Sequence, residues 1–184
     1  LLDQLQTMLA QISERPTVMV IGAKGRSGSG ASQLAKDLGL STTEWDMEET
    51  KVGGPFKAIN DHHVFVNCVL VNKDLPPFVN TASLSDENRT LSVIADVSCD
   101  PYGSYNPLPV YSSCTTFDSP CIKVEAAGPK LELIAIDHLP SLLPKESSED
   151  YGEQLFPHIA SLASEATVVW HNALQHFKIH TSKL

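Results

Sequence analysis

Long apolar runs are missing from this chain: nowhere does it reach the roughly 18 consecutive apolar residues that a membrane-spanning helix requires, which argues against a membrane partner. Positive charge is scarce as well. Thirteen lysines and arginines face 22 aspartates and glutamates, for a formal net charge of -9. The basic residues are scattered rather than striped, which argues against a nucleic-acid partner that rewards phosphate neutralisation. The four cysteines, Cys68, Cys99, Cys114 and Cys121, have no C-x-x-C spacing and lie in or beside apolar segments. They read as reduced, buried thiols, with neither a zinc site nor a disulfide framework. Internal repeats and low-complexity segments are absent too.

What remains is a globular composition, 42% hydrophobic and 19% charged, in 184 residues. That length can bury a core without covalent staples. The first residues, "LLDQLQTMLAQISERP", show no initiator methionine and no basic stretch followed by a continuous apolar one, so they do not read as a signal peptide. Leu1, Leu5, Met8, Leu9 and Ile12 recur three and four apart, the face of a helix already in progress, and the chain is expected to begin mid-protein. At the other end Ser182-Lys183-Leu184 matches the peroxisomal address, which implies an import receptor as partner.

Residues 17–21 read as a short buried strand, followed by a glycine-rich turn and then by Ala31, Leu34, Ala35 and Leu38 at helical spacing up to Gly39. Residues 42–46, 64–70 and 91–97 predict three more strands, apolar throughout rather than alternating, as in a parallel sheet covered on both faces. "CIKVEAAG" and "LELIAID" could add edge strands, and residues 147–180 look mainly helical. Strand and helix are expected to alternate four times in about 100 residues. The reading is an α/β fold, a Rossmann-like doubly wound parallel sheet with helices on both faces and a C-terminal helical segment.

The chemistry-bearing stretch is "TVMVIGAKGRSGSGA", with Gly22, Gly25 and Gly28 at G-x-x-G-x-x-G spacing and Gly30 two further on. Such glycines permit a tight turn, let a backbone approach a pyrophosphate and let a helix pack closely on a strand, while the helix N-terminus offers N–H groups to the anion. Asp46 ends the next strand eighteen residues after Gly28, where a carboxylate accepts hydrogen bonds from ribose hydroxyls and repels a 2'-phosphate. NAD is therefore favoured over NADP. His62, His63, His171, His176 and His180 have no carboxylate or cysteine at a convincing ligand spacing; an exposed helix face is expected for them, and no metal site.

Taken together, "IGAKGRSGSGA", "WDMEETKVGGPF", "DVSCDPYGSYNPLPVY" and "AAGPKLELIAIDHLPSLLPKESS" resemble the fungal, NAD-dependent, lysine-forming saccharopine dehydrogenases, in the family's own order and from Pro16 to the last residue. The resemblance implies an enzyme of two Rossmann-like domains that oxidatively cleaves L-saccharopine, with NAD and water, to L-lysine and 2-oxoglutarate. It implies that this chain is the NAD-binding half, divided as an interdomain helix (1–15), a Rossmann domain (16–144) and a C-terminal helical segment (145–184) that packs on a missing N-terminal domain. The apolar Leu155, Phe156, Ile159, Leu162, Val168, Val169 and Trp170 would then lie partly exposed.

Carried over by matching position, Gly25 and Arg26 contact the cofactor in the glycine turn, Asp46 the ribose, and Thr50, Leu70 and Val97 the adenosine and nearby walls. Ile136, Asp137, His138 and Leu139 close over the nicotinamide end. Ser98, Cys99 and Asp100 face the substrate. The family's acid-base lysine and histidine, and the arginines that hold substrate carboxylates, belong to the absent domain, so no catalytic residue is assigned here and His138 is read as lining. On residue type alone Thr50 and Leu70 are a loop and a strand-end residue, and Asp137 is suited to cap a helix starting near Pro140. Two departures stand out: Ser27 replaces a cysteine of some relatives, and Leu70 a tyrosine. The thiol pairing of that turn with Cys68 and the stacking of adenine on a ring are thereby lost. The rival readings are a lysine-2-oxoglutarate reductase-type enzyme using NADPH, which Asp46 opposes on charge, and a non-catalytic nucleotide-binding module.

Overall fold

A computed structural model describes residues 1–162 and 167–182. They form two compact units, Leu1–Asp137 and His138–Leu184. The first unit contains helix α1 (Leu2–Leu9), strand β1 (Val18–Ile21), helix α2 (Arg26–Asp37) and strand β2 (Thr42–Trp45). The one-turn helices α3 (Met47–Thr50) and α4 (Lys57–Asn60) follow, then β3 (Val64–Asn67), β4 (Val93–Asp96), β5 (Ile122–Val124) and β6 (Leu131–Ile134).

The six strands form one sheet in the order β2-β1-β3-β4-β6-β5, parallel except for β5, which runs antiparallel to β6 at the edge. Every residue of β1 is buried, as a central strand of continuous apolar character requires. Its two faces belong to different layers. Val18 and Val20 pack with Ala31 and Ala35 of α2. Met19 and Ile21 join Phe65, Ile94, Leu131 and Leu133 in the larger core on the opposite face.

That second face departs from the expected alternation of strand and helix. Between β2 and β3 only α3 and α4 occur, and between β3 and β4 a single 3-10 turn at Ser83–Ser85. Ile59, Phe78, Val79 and Leu84, from these short pieces and their loops, cover the sheet instead, joined by Leu108 from the loop after β4. The physical reason lies in the breakers: Gly53, Gly54 and Pro55, then Pro76 and Pro77, interrupt both crossovers before a long helix can propagate. The fold is nonetheless the mixed α/β, Rossmann-like one.

The register aligns the strand ends. Ile21 lies opposite Trp45 on one side and Asn67 on the other, and Asn67 lies opposite Asp96. The chain leaves β1 for β2 on one side and returns to β3 on the other, so a crevice opens at the carboxyl ends of β1 and β3, the topological switch point where α/β proteins bind ligands.

In the second unit a 3-10 turn (Leu139–Leu142) leads into α5 (Pro144–Ala160), and α6 (Val168–Thr181) follows. Asp137 does not cap this start: His138 occupies the N-cap position and no side chain caps the turn. The Trp170 indole N–H donates to the His158 carbonyl at 2.8 Å, tying α6 to α5. Phe156, Ile159, Leu162, Val168 and Val169 are exposed, while Leu155 and Trp170 are partly covered. No helix among the described residues is long and apolar enough to cross a membrane.

Candidate nucleotide-binding site

The glycines of the turn divide by what surrounds them. Gly22 adopts φ +86°, and a Cβ there would meet Val69 Cγ2 at 2.8 Å. Gly28, in the first turn of α2, is tighter: its Cβ would lie 2.0 Å from the Gly22 carbonyl oxygen, so only glycine lets the helix approach the turn this closely. Gly30 has nothing within 4 Å of its would-be Cβ and is not required by packing. Gly25 is the N-cap of α2 and accepts the Ser29 N–H at its carbonyl, 2.8 Å.

No side chain caps α2, and no acidic residue occupies its first turn. The N–H groups of Arg26, Ser27 and Gly28 lack partners within the helix by geometry and face outward at its positive end. Arg26 is exposed beside them. An anion fits this terminus.

Asp46 stands at the next strand end. Its carboxylate accepts the Lys24 N–H from the glycine turn at 2.9 Å and the Met47 N–H of α3 at 2.8 Å, while the Glu49 carboxylate accepts the Asp46 N–H at 2.8 Å in a capping box. The Lys24 bond first, and the Met47 bond next, hold the Asp46 pKa below its usual carboxylate value. Asp46 is only half covered, and an ionised carboxylate offers about four lone-pair sites, so acceptor capacity remains for a diol.

Two hollows adjoin it. One of about 190 Å³ is lined by Ala23, Lys24, Glu44, Trp45, Asp46 and Glu49. The other, about 140 Å³, gathers Asp46, Met47 and Thr50 from one side and Val69, Leu70 and Val71 from the other. Thr50 is buried, its hydroxyl donating to the Asp46 carbonyl at 2.8 Å, whereas Leu70 is 67% exposed at the rim. The fold thus brings Gly25, Arg26, Asp46, Thr50 and Leu70 to one edge of the sheet. A hollow of about 640 Å³ opens at the opposite edge, among Gln11, Pro16, His63 and Val93, and contains none of these residues.

No family model matches the chain. Individual proteins do. Saccharopine dehydrogenase (NAD+, L-lysine-forming) of Yarrowia lipolytica is 47% identical over 193 aligned positions, covering 100% of this chain and 52% of the relative. The enzyme of the same name in Emericella nidulans is 49% identical over 180 positions, 93% of this chain and 48% of the relative. That of Candida albicans is 45% identical over 174, covering 92% and 46%. The chain belongs with the C-terminal half of the fungal saccharopine dehydrogenases. It spans about half the length of the curated relatives it matches.

The other residues expected at the site from sequence follow β4 and β6, with His138 and Leu139 in the second unit. Val97, just past β4, donates its N–H to the Asn67 carbonyl at 2.9 Å. Ser98 is half-buried, and its Oγ lies 3.5 Å from the Asn67 amide nitrogen. Cys99 is buried at φ +47°, with its thiol against Cys114 Sγ at 3.4 Å and the Ala135 carbonyl at 3.1 Å. Asp100 accepts the Gly103 N–H at its carbonyl, 3.3 Å. Ile136 is buried and bridges to Thr115, and Asp137 ends the first unit. His138 and Leu139 open the second.

Three side chains at this edge were not singled out from sequence: Asn67, Asp96 and Tyr111. The signal was a polar residue closing each of two apolar strands, "VFVN" and "VIAD". Two expectations need correction. His62 and His63 sit in the turn before β3, half-buried, with His62 bonded to Thr43 and Ala58 and His63 to Thr17, instead of on an exposed helix face. Cys121 is exposed, and Cys68 and Cys114 are only half-buried, each following or flanking a strand and packed against the core on one side only; of the four free thiols only Cys99 is buried. His171, His176 and His180 are exposed on α6.

Proposed function

We propose that this chain is the NAD-binding part of an enzyme that oxidatively cleaves L-saccharopine to L-lysine and 2-oxoglutarate in lysine biosynthesis. The observation that carries the reading is the joining of Asp46 to the glycine turn beside an uncapped α2, in a chain 47% identical to a saccharopine dehydrogenase across its whole length. When bound, NAD supplies the hydride-accepting chemistry. Gly25, Arg26 and the α2 N-terminus hold the pyrophosphate. Asp46 accepts from the adenosine ribose and repels a 2'-phosphate, Thr50, Leu70 and Val97 line the adenosine side, and residues 136–139 line the nicotinamide end. Ser98, Cys99 and Asp100 face the substrate, and the acid-base groups come from an N-terminal domain on which residues 145–184 pack.

The test is spectrophotometric. The full-length gene product that carries this chain should reduce NAD in the presence of L-saccharopine and bind NADH more tightly than NADPH. Preference for NADPH, with lysine and 2-oxoglutarate as the better substrates, would establish the reductase-type alternative; nucleotide binding without turnover would establish a non-catalytic module. We assign the protein to the cytoplasm or the peroxisome, the latter through Ser182-Lys183-Leu184 and the import receptor. Lys183 and Leu184 lie outside the described residues. A fluorescent protein fused ahead of the gene product should lose punctate localisation when Leu184 is deleted, and unchanged localisation would refute the peroxisomal assignment.

A further inference from the structure

Asn67 closes β3, Asp96 closes β4, and the parallel register sets them directly opposite each other. Both side chains lie on the larger core's face, continuing the rows of Phe65 and Ile94, at 0% and 2% exposure. A carboxylate in such surroundings needs a cation or several donors. Among the described residues no lysine or arginine forms an ion pair with Asp96. Three donors serve it. The Asn67 amide, at 2.9 Å, and the Cys99 N–H, at 3.3 Å, share Oδ1, and the Tyr111 hydroxyl reaches Oδ2 at 2.6 Å.

Each end of this network reaches a different wall. The Asn67 Oδ1 accepts the Val69 N–H at 3.3 Å, and Val69 and Leu70 line the cleft shared with Asp46 and Thr50. On the other side Asp96 grips the turn of Ser98, Cys99 and Asp100. Cys99 sits at φ +47°, a conformation a non-glycine residue keeps only where its surroundings hold it, and its N–H bond to Asp96 is one such hold. Tyr111 adds a third anchor from the loop that follows. Burial chiefly, and its bond to Asp96 next, push the Tyr111 pKa upward, so the hydroxyl keeps its proton and remains a donor.

We propose that Asn67 and Asp96 are a positioning pair that sets the adenosine wall at 69–70 and the substrate-side turn at 98–100 together, through one shared oxygen; the inference rests on the dinucleotide reading above. Neither side chain touches cofactor or substrate. Their role is to make two walls from different strands move as one element, so loosening the pair degrades both functions at once.

The experiment uses the full-length gene product. NADH affinity is read by fluorescence titration, and KM and kcat for L-saccharopine by absorbance. Asp96→Ala is expected to raise the NADH Kd and the saccharopine KM together, each about tenfold, as orphaning buried donors at both walls implies. Asp96→Asn keeps an oxygen toward Asn67 and Cys99 and is expected to restore both to within about threefold. A scaffold role alone lowers the melting temperature and the active fraction while the folded remainder keeps wild-type Kd and KM; that result overturns the proposal.

Should Asp96→Ala not fold, Asn67→Ala and Tyr111→Phe decide. Asn67→Ala should weaken both constants. Tyr111→Phe should raise the saccharopine KM and spare the NADH Kd, and wild-type constants in both variants overturn the proposal. Intact NADH binding without saccharopine turnover in the wild type counts against the substrate reading alone, since the Kd measurements still decide the pair. A wild type that binds no NADH overturns both.

Discussion

The Asp46 carboxylate accepts the Lys24 backbone N–H at 2.9 Å, joining the end of β2 to the glycine turn that follows β1. One residue thereby closes the turn and caps α3, and it is the residue we propose to meet the ribose. Asp46→Ala removes the cap and should cost about 1 kcal/mol in the absence of ligand. Chemical denaturation of the apo chain measures it, and an unchanged midpoint would mean that water replaces both bonds without loss.

The same carboxylate makes stability depend on pH. Its folded pKa is depressed by the Lys24 and Met47 N–H groups, so its contribution is complete above the unfolded value of about 3.8 and disappears as pH falls through the folded value. The stability gap between wild type and Asp46→Asn should therefore be constant from pH 7 to 5 and narrow below pH 4. A gap that widens on acidification would contradict the depressed pKa.

Cofactor choice should follow the charge at this position. Asp46→Ser removes the repulsion of a 2'-phosphate, and the NADPH-to-NADH affinity ratio of the full-length gene product should rise about tenfold. Isothermal titration gives both constants; an unaltered ratio would place discrimination elsewhere.

Two glycines of one turn should respond oppositely to alanine. At Gly28 the added carbon collides with the Gly22 carbonyl, and the strain should destabilise by about 1–3 kcal/mol and weaken NADH binding. At Gly30 there is open space in an exposed helix, and alanine should stabilise by about 1 kcal/mol through helix propensity. Thermal melts of the two variants check this directly, and equal losses would show that the helix does not approach the turn as described.

Thiol reactivity should rank by exposure and ionisation. Burial pushes the Cys68 thiol up to about 11 and the Cys99 thiol up to about 12, whereas Cys121 is exposed. Iodoacetamide at pH 8 should label Cys121 first and Cys99 last, as peptide mass mapping would reveal. Labelling of Cys99 as fast as Cys121 would mean that the turn after β4 opens in solution.

Strands β1, β3 and β4 were legible because each is a mainly apolar run too short for a helix and bounded by turn residues, as "VMVI" and "VIAD" show, whereas β2, "TTEW", is mostly polar. The helices between the strands were less legible. The first crossover follows helical periodicity and forms α2, but the later ones carry only single turns, because glycines and prolines break them and buried loop residues such as Phe78 and Leu108 take over the covering of the sheet. Asp46 could be found from its distance to the glycines. Asn67, Asp96 and Tyr111 could not, since residues 29 and 15 positions apart meet only through strand register and loop return.

The amino-acid sequence by itself determined the strand-turn-helix unit, because glycine at Gly22 and Gly28 and apolar periodicity in α2 act within one local stretch. The tertiary structure decided which polar side chains became a network. A buried carboxylate such as Asp96 is stable only where donors from separate strands and loops converge on it, and that convergence exists only once the sheet is assembled.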